Sequence, residues 1–139
     1  MGRIIGLDVG ERRMGVAIST PERTLAVPLR VLDVAEDAAA AAEVSAIARA
    51  EGVDLLVVGH PISLSGAPGP QALRVELFAR LLGEASGLRV ELWDERLSSV
   101  QARRLQPKAK KGRKRPAPID DIAASIVLQS YLDHLAATA

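Results

Sequence analysis

The chain has 139 residues, 48% of them hydrophobic, and a net charge of +1, which suits one domain with a substantial buried core. It contains no cysteine and only two histidines, which excludes disulfide bonds, thiolate metal sites and a histidine-rich zinc cluster. No apolar stretch reaches the roughly 18 residues of a membrane span, and Asp8 and Glu11 interrupt the first apolar run, so we expect a cytoplasmic protein with a single domain over residues 1–139.

The first part of the chain predicts three strands and a helix. Residues 4–9 form a short apolar run, and residues 14–19 form a second after a turn-prone link. Residues 25–34 combine Val and Leu with a proline, which indicates a strand at a sheet edge. Because the links are short, we expect an antiparallel meander. Residues 38–51 are rich in alanine at helical spacing, and Gly52 is a natural helix end.

The remainder predicts helices and strands in alternation. The expected strands cover residues 53–59 and 88–93, and the expected helices cover 70–85 and 120–135, with a short helix opened by a capping box at Ser98 and Gln101. Residues 63–69 and 106–118 are expected to be loops. In the helix at 70–85, Leu73, Leu77 and Leu81 form one apolar stripe. The order βββαβαβαα indicates an α/β protein with a five-stranded mixed sheet flanked by helices.

The positive charge is concentrated in one segment. Residues 103–115 contain eight cations and no acid, so the rest of the chain carries a net charge of −7 once these eight are subtracted from +1. Such a segment can be a solubilising loop, but it also suits contact with a polyanion, which is the interpretation we favour. Its cations are Arg103, Arg104, Lys108, Lys110, Lys111, Arg113, Lys114 and Arg115.

Three acids stand at the ends of predicted elements. Asp8 ends the first strand between Gly6 and Gly10, Glu95 follows the fifth strand, and Asp120 begins the last helix. Ligands of open α/β sheets bind at the carboxyl ends of strands. Phosphodiester hydrolysis by two divalent ions needs carboxylates from several elements, because Mg²⁺ and Mn²⁺ prefer oxygen ligands. We therefore interpret these acids as catalytic metal ligands, with Asp94 and Asp121 as possible additions.

Each of these residues also has a structural interpretation. Asp8 can begin a turn, Glu95 can form a surface pair with Arg96, and Asp120 can cap the last helix. The glycines near Asp8 suit either the approach of a phosphate backbone or tight strand packing. His60 follows the fourth strand and can act as a ligand or base, although a structural role is more common for a loop histidine.

Together these residues resemble the YqgF/RuvX family of pre-16S rRNA nucleases, also described as Holliday-junction-resolvase-like proteins. The resemblance runs in order along nearly the whole chain. It includes residues 6–10 (Gly-Leu-Asp-Val-Gly), 13–17 (Arg-Met-Gly-Val-Ala), 57–61 (Val-Val-Gly-His-Pro), 94–99 (Asp-Glu-Arg-Leu-Ser-Ser) and Asp120 with 128–132 (Leu-Gln-Ser-Tyr-Leu). The family often has leucine at the position of His60.

The resemblance implies an RNase H-like fold with Asp8, Glu95 and Asp120 as the metal-binding acids, and Mg²⁺ or Mn²⁺ as the cofactor. It implies a nuclease that processes the 5′ end of pre-16S rRNA in ribosome biogenesis, with cleavage of branched DNA as the close alternative. Arg13 and the eight cations of residues 103–115 would contact the nucleic acid. The chain would act as a monomer or a homodimer.

Two other functions stay open on the sequence. Asp8-Val9-Gly10 followed by Gly15-Val16-Ala17 also resembles the first phosphate motif of actin-like ATPases, although those proteins pair two such domains. A non-catalytic RNA-binding factor could instead use the basic segment and keep the acids for structure.

Overall fold

The computed structural model describes residues 2–62, 69–97 and 119–138, with the backbone alone for residues 119–121. Five strands form one sheet in the order β3-β2-β1-β4-β5. The elements are β1 (Arg3–Val9), β2 (Arg13–Ser19), β3 (Ala26–Asp33), α1 (Asp37–Glu51), β4 (Val53–His60), α2 (Pro70–Ser86), β5 (Arg89–Asp94), a 3₁₀ turn (Glu95–Leu97) and α3 (Ile119–Thr138).

The predicted mixed sheet is confirmed, including the antiparallel meander of β1 to β3 and the position of β3 at an edge. Strands β4 and β5 run parallel to β1 and β4 respectively. Helices α1 and α2 end at glycines in the left-handed region, Gly52 with φ 68° and Gly87 with φ 70°, where residues with a side chain are strained. The short helix expected after Ser98 and the loops at 63–69 and 106–118 fall wholly or mainly outside the described residues.

Helices cover the sheet on both sides. One core lies between the sheet and helices α1 and α2, and it contains Leu7, Val58 and Phe78. The second core lies between the sheet and α3, and it contains Ile4, Val57 and Leu128 among its residues. Because the central strands β1 and β4 are covered on both faces, nearly all of their residues are buried, as a continuous apolar run predicts. Among the described residues, no helix has the length and apolar character needed to cross a membrane.

The stripe of Leu73, Leu77 and Leu81 is not the buried face of α2. Leu73 and Leu77 are 52% and 65% exposed, and only Leu81 packs partly against the core. The buried residues are Ala72, Val75, Phe78, Ala79 and Leu82. Steps of four residues drift around a helix with 3.6 residues per turn, whereas positions 72, 75, 79 and 82 alternate steps of three and four and stay on one face.

Helix α3 packs directly against glycines of the sheet. A Cβ atom added to Gly6 would lie 2.6 Å from Leu128 Cβ and 3.3 Å from the carbonyl oxygen of Ala124. A Cβ added to Gly59 would lie 3.1 Å from Val127 Cγ2. These two glycines therefore set the distance between α3 and the central strands.

A cluster of aromatic residues fastens α3 to β5. The rings of Trp93 and Tyr131 meet edge to face with centroids 5.2 Å apart, and Trp93 Nε1 donates a hydrogen bond to Ser130 Oγ at 3.0 Å. The Tyr131 hydroxyl donates to a carboxylate oxygen of Glu91. Burial, together with the neighbouring Glu91 carboxylate, raises the pKa of Tyr131 to about 12.

We predict opposite effects for two glycine-to-alanine substitutions. Gly6→Ala should lower the free energy of unfolding by about 1–3 kcal/mol, because the new methyl group overlaps the start of the Leu128 side chain. Gly83→Ala should raise it by about 0.5–1 kcal/mol, because this position is helical and its nearest side-chain atom, Val90 Cγ2, is 3.7 Å away. Urea unfolding of both variants measures the difference. Equal effects at the two positions would contradict the close contact of α3.

We also predict an abnormal alkaline titration. Tyr131 is the only tyrosine, so tyrosinate absorbance reports this side chain alone. The midpoint should lie near pH 12 in the folded protein and near pH 10 in denaturant. Because the folded-state pKa is the higher, the contribution of Tyr131 to stability is complete below about pH 10 and is lost as the pH rises through about 12. Tyr131→Phe should lack this loss, and a wild-type midpoint near pH 10 would contradict the burial of the phenol.

Candidate active site

Asp8 lies near the end of β1 and is only 1% exposed. Successive residues of a strand point to opposite faces, and Leu7 belongs to the core beneath α1 and α2. Asp8 therefore shares the opposite face with Gly6, which contacts α3. The first predicted acid is thus held in the layer between the sheet and α3.

The residues that flank Asp8 on this face have no side chains. In the antiparallel pairing with β2, Asp8 lies directly opposite Gly15. On the other side, Leu7 pairs with Val58 of parallel β4, so Asp8 is adjacent to Gly59, the residue after Val58. The buried carboxylate thus has a glycine on each neighbouring strand, and each of these strands is about 4.8 Å away.

Glu95 occupies the space over one of these glycines. It is the first residue of the 3₁₀ turn that follows β5, and it is also 1% exposed. Its Oε2 atom lies 2.8 Å from the position that a Cβ atom on Gly59 would take. Because Asp8 and Glu95 both border Gly59 on the same face of the sheet, the fold brings together two acids that are remote in the sequence.

This pair has the donor chemistry of a divalent-cation site. A buried carboxylate is tolerated only when hydrogen bonds or cations compensate its charge, and carboxylate oxygens are the ligands that Mg²⁺ and Mn²⁺ prefer. The absence of a side chain on Gly59 is what admits the Glu95 carboxylate. Within residues 2–62, 69–97 and 122–138, no group of three or more potential metal-ligating side chains is found.

The third predicted acid, Asp120, lies in the first turn of α3, and its side chain is outside the described atoms, as is that of Asp121. Position 120 precedes Ala124 by four residues, so both positions belong to the helix face that packs on the sheet. Gln129 binds the backbone of Thr24 and Ala26 toward the opposite end of the sheet, which directs the start of α3 toward Asp8. The role of Asp120 stays a prediction.

Asp94 is paired with Arg96, two residues further along the chain. The Arg96 guanidinium donates to both carboxylate oxygens of Asp94, at 2.7–3.1 Å, and the Arg96 backbone N–H adds a bond of 2.8 Å. This side-chain hydrogen bond lowers the pKa of Asp94. The surface pair that was the structural interpretation of Glu95 is therefore formed by Asp94 instead.

His60 lies on the opposite face of the sheet from Asp8. Its Nε2 atom is 2.8 Å from Glu76 Oε2 on α2. This contact is a structural role for His60, which the sequence left undecided. Packing likewise accounts for the glycines, because a Cβ on Gly6 would meet Leu128 and a Cβ on Gly10 would lie 2.7 Å from the Arg13 carbonyl oxygen.

Of the predicted nucleic-acid contacts, the structure describes only Arg13. It is the first residue of β2, it is exposed, and it lies two residues before Gly15, so it shares the face and the sheet end of Asp8. The eight cations of residues 103–115 lie outside the described part of the chain.

Two polar residues beside this site were not identified from the sequence. Gln71 Nε2 donates to the Val9 carbonyl at 2.7 Å, and Arg74 Nη1 donates to the Gly10 carbonyl at 2.6 Å. Both lie in the first two turns of α2, where the helical pattern alone gives no sign of a partner on β1.

Comparison with known proteins agrees with the resemblance in the sequence. A family model described as "RuvX: Holliday junction resolvase" matches residues 2–134. A Chloroflexus aurantiacus protein named "Putative pre-16S rRNA nuclease" is 44% identical over 131 residues, which cover 94% of this chain and 86% of that protein. A protein of the same name from Roseiflexus sp. (strain RS-1) is 42% identical over 133 residues, which cover 95% and 94%.

Solved structures confirm the expected fold. RuvC from Thermus thermophilus superimposes with a TM-score of 0.62 at 14% identity, covering 98% of this chain and 97% of that chain. The same protein in complex with a Holliday junction substrate gives 0.61 at 13% identity, covering 99% and 98%. The chain therefore has the RNase H-like fold of RuvC, and it belongs to the RuvX family, whose curated relatives are named nucleases, enzymes that hydrolyse phosphodiester bonds.

Proposed function

We propose that this chain hydrolyses phosphodiester bonds at the site formed by Asp8 and Glu95, and that its natural substrate is precursor 16S rRNA. The observation that carries the proposal is that two buried acids, Asp8 and Glu95, both border Gly59 at the carboxyl ends of the parallel strands β1 and β4. Two acids enclosed in this way are costly for stability, which is common where a site is built for chemistry. The names of the relatives support the choice of substrate.

Asp8, Glu95 and Asp120 are the residues that would hold a divalent cation, Mg²⁺ or Mn²⁺. When bound, such an ion supplies positive charge that stabilises the phosphate as it is cleaved. The contribution of the chain is to fix its acids rigidly: Asp8 through strand pairs on β1, and Glu95 through the 3₁₀ turn and its contact with Gly59. Rigid placement of reacting groups is a large part of enzymatic rate enhancement.

Binding of the substrate would depend on charge and backbone shape. Arg13 lies on the face and at the end of the sheet where Asp8 is found, and the cations of residues 103–115 would add contacts to phosphates. Of the three aromatic residues, Phe78 and Tyr131 are buried and Trp93 packs against Tyr131 and His134. Stacking on unpaired bases is therefore a minor part of the proposed recognition.

Branched DNA is the second candidate substrate. The matching family is described as a Holliday junction resolvase, and this description favours a four-way junction over other DNA. A junction has two strands to cut and suits a homodimer, whereas a single-stranded RNA needs only one active site. A preference for the junction should therefore accompany a homodimer, whereas a preference for single-stranded RNA is compatible with a monomer.

We predict that Asp8→Asn and Glu95→Gln each lower the cleavage rate by at least about 100-fold, because each removes a negative charge from the site. The assay compares labelled single-stranded RNA carrying the pre-16S 5′ region, duplex DNA and a four-way junction, each with Mg²⁺ or Mn²⁺. Glu84→Gln is the matched control, since Glu84 is an exposed acid on α2. Full activity of purified Asp8→Asn protein would refute the proposed site, and cleavage of the junction alone would favour the second candidate.

We predict that Gly59→Ala weakens catalysis more than folding. The new methyl group would displace the Glu95 carboxylate, whose Oε2 atom is 2.8 Å away, and would press on Val127. Cleavage should fall about 10- to 100-fold, since small displacements of catalytic groups have effects of this size. The measurements are the rate and the melting temperature, with Gly83→Ala as the control for adding a methyl group. Unchanged cleavage would show that Glu95 does not act from this position.

A further inference from the structure

Two side chains of α2 bind the backbone of β1 immediately after Asp8. Gln71 Nε2 donates to the carbonyl of Val9 at 2.7 Å, and Arg74 Nη1 donates to the carbonyl of Gly10 at 2.6 Å. Both bonds are partly buried, and the bond from Arg74 is charge-assisted, which makes it stronger than a bond between neutral groups. The residues after Asp8 are thus fixed by a helix on the opposite face of the sheet.

These bonds lie where the ladder of strand pairs comes to an end. The pairing of β1 with β4 ends at Leu7 and Val58, whereas β2 still pairs with Val9 through Met14, and the Gly10 N–H donates to the Arg13 carbonyl at 2.8 Å. Beyond Leu7, β1 is therefore held by β2 on one side only, and a segment with one paired neighbour is more mobile than the strand centre. Gln71 and Arg74 therefore continue the restraint of β1 past the point where β4 stops providing it.

The same part of α2 also forms ion pairs or hydrogen bonds with α1 and β4 at this end of the sheet. Arg74 Nη2 is 3.3 Å from Asp37 Oδ1, at the first residue of α1. Glu76 binds His60, the last residue of β4, which follows Gly59. The first two turns of α2 thus contact the ends of both β1 and β4, the strands that carry Asp8 and Gly59.

Attachment of α2 to the sheet does not require these polar contacts. Val75, Phe78 and Leu82 are fully buried between α2 and the sheet, and they provide the main packing of the helix. Hydrogen bonds to two consecutive carbonyls add little to this packing, but they fix the direction of the backbone next to Asp8. Because the two carbonyls directly follow Asp8, these bonds affect the geometry of the candidate active site more than the packing of the core.

We propose that Gln71 and Arg74 are positioning residues: by holding the carbonyls of Val9 and Gly10, they set the orientation of the Asp8 carboxylate relative to Glu95. The proposal rests on the proposed nuclease function. Neither residue touches the substrate in this role. Loss of either bond would let the end of β1 shift, and a displacement of about 1 Å can lower a rate about 100-fold.

The test uses Gln71→Met and Arg74→Met, which keep most of the side-chain volume and remove the donors. Arg74→Lys restores a donor and should recover much of the lost activity, whereas Arg80→Met, at an exposed arginine of the same helix, is the control. The Met variants should show kcat about 10- to 100-fold below wild type, with KM for the nucleic acid within about threefold, because ground-state binding is unaffected.

A second measurement needs neither substrate nor cation. Amide hydrogen exchange of the metal-free Met variants should be faster at residues 8–10 and unchanged in β3 and in the centre of α2. Faster exchange throughout the protein, with kcat unchanged, would show that the two residues serve stability alone and would overturn the proposal. A rise in KM at constant kcat would overturn it too, because it would place the side chains in contact with the substrate.

The two measurements separate failure of this proposal from failure of the proposed function. A wild-type protein that cleaves none of the three substrates refutes the nuclease assignment and, with it, a role for the two residues in catalysis. An active wild-type protein whose Met variants match it in kcat refutes the positioning role alone.

Discussion

The close approach of α3 to the central strands is the constraint on which the rest of the structure depends. Gly6 and Gly59 leave no room for a side chain, so Leu128 and Val127 rest almost directly on β1 and β4. This contact covers one face of the sheet and encloses Asp8 and Glu95 in the layer beneath α3. A bulkier residue at either glycine would move the helix, the acid beside it, or both.

The layer between the sheet and α3 holds charge as well as apolar side chains, and this has consequences for stability. A layer of apolar side chains alone would give a more stable protein, because a buried carboxylate loses its hydration. The fold tolerates the two acids because the core beneath α1 and α2 is apolar and continuous across β1, β2 and β4. Both faces of the sheet therefore carry an apolar core, and the face beneath α3 also contains the candidate site.

The sequence was sufficient for the strands and helices of the described residues and for the family. Apolar runs, short links and the position of a proline predicted the meander of β1 to β3, and Gly52 marked the end of α1 correctly. The stripe of leucines at four-residue spacing did not reveal how α2 faces the sheet, since Leu73 and Leu77 are exposed. A helix is oriented by the residues that fit the sheet, and small residues such as Ala72 and Ala79 fit better at close contacts than leucine does.

By itself, the sequence determined the type of fold, the family and the set of candidate acids, because periodicity, turn residues and motif order are local properties of the chain. Tertiary structure alone decided which residues meet: that Gly59 makes room for Glu95, that Arg96 binds Asp94, and that α2 holds the end of β1. These contacts depend on strand register and on the rotation of each helix about its axis. Both are set by packing between remote segments, and a single sequence carries no local signal of them.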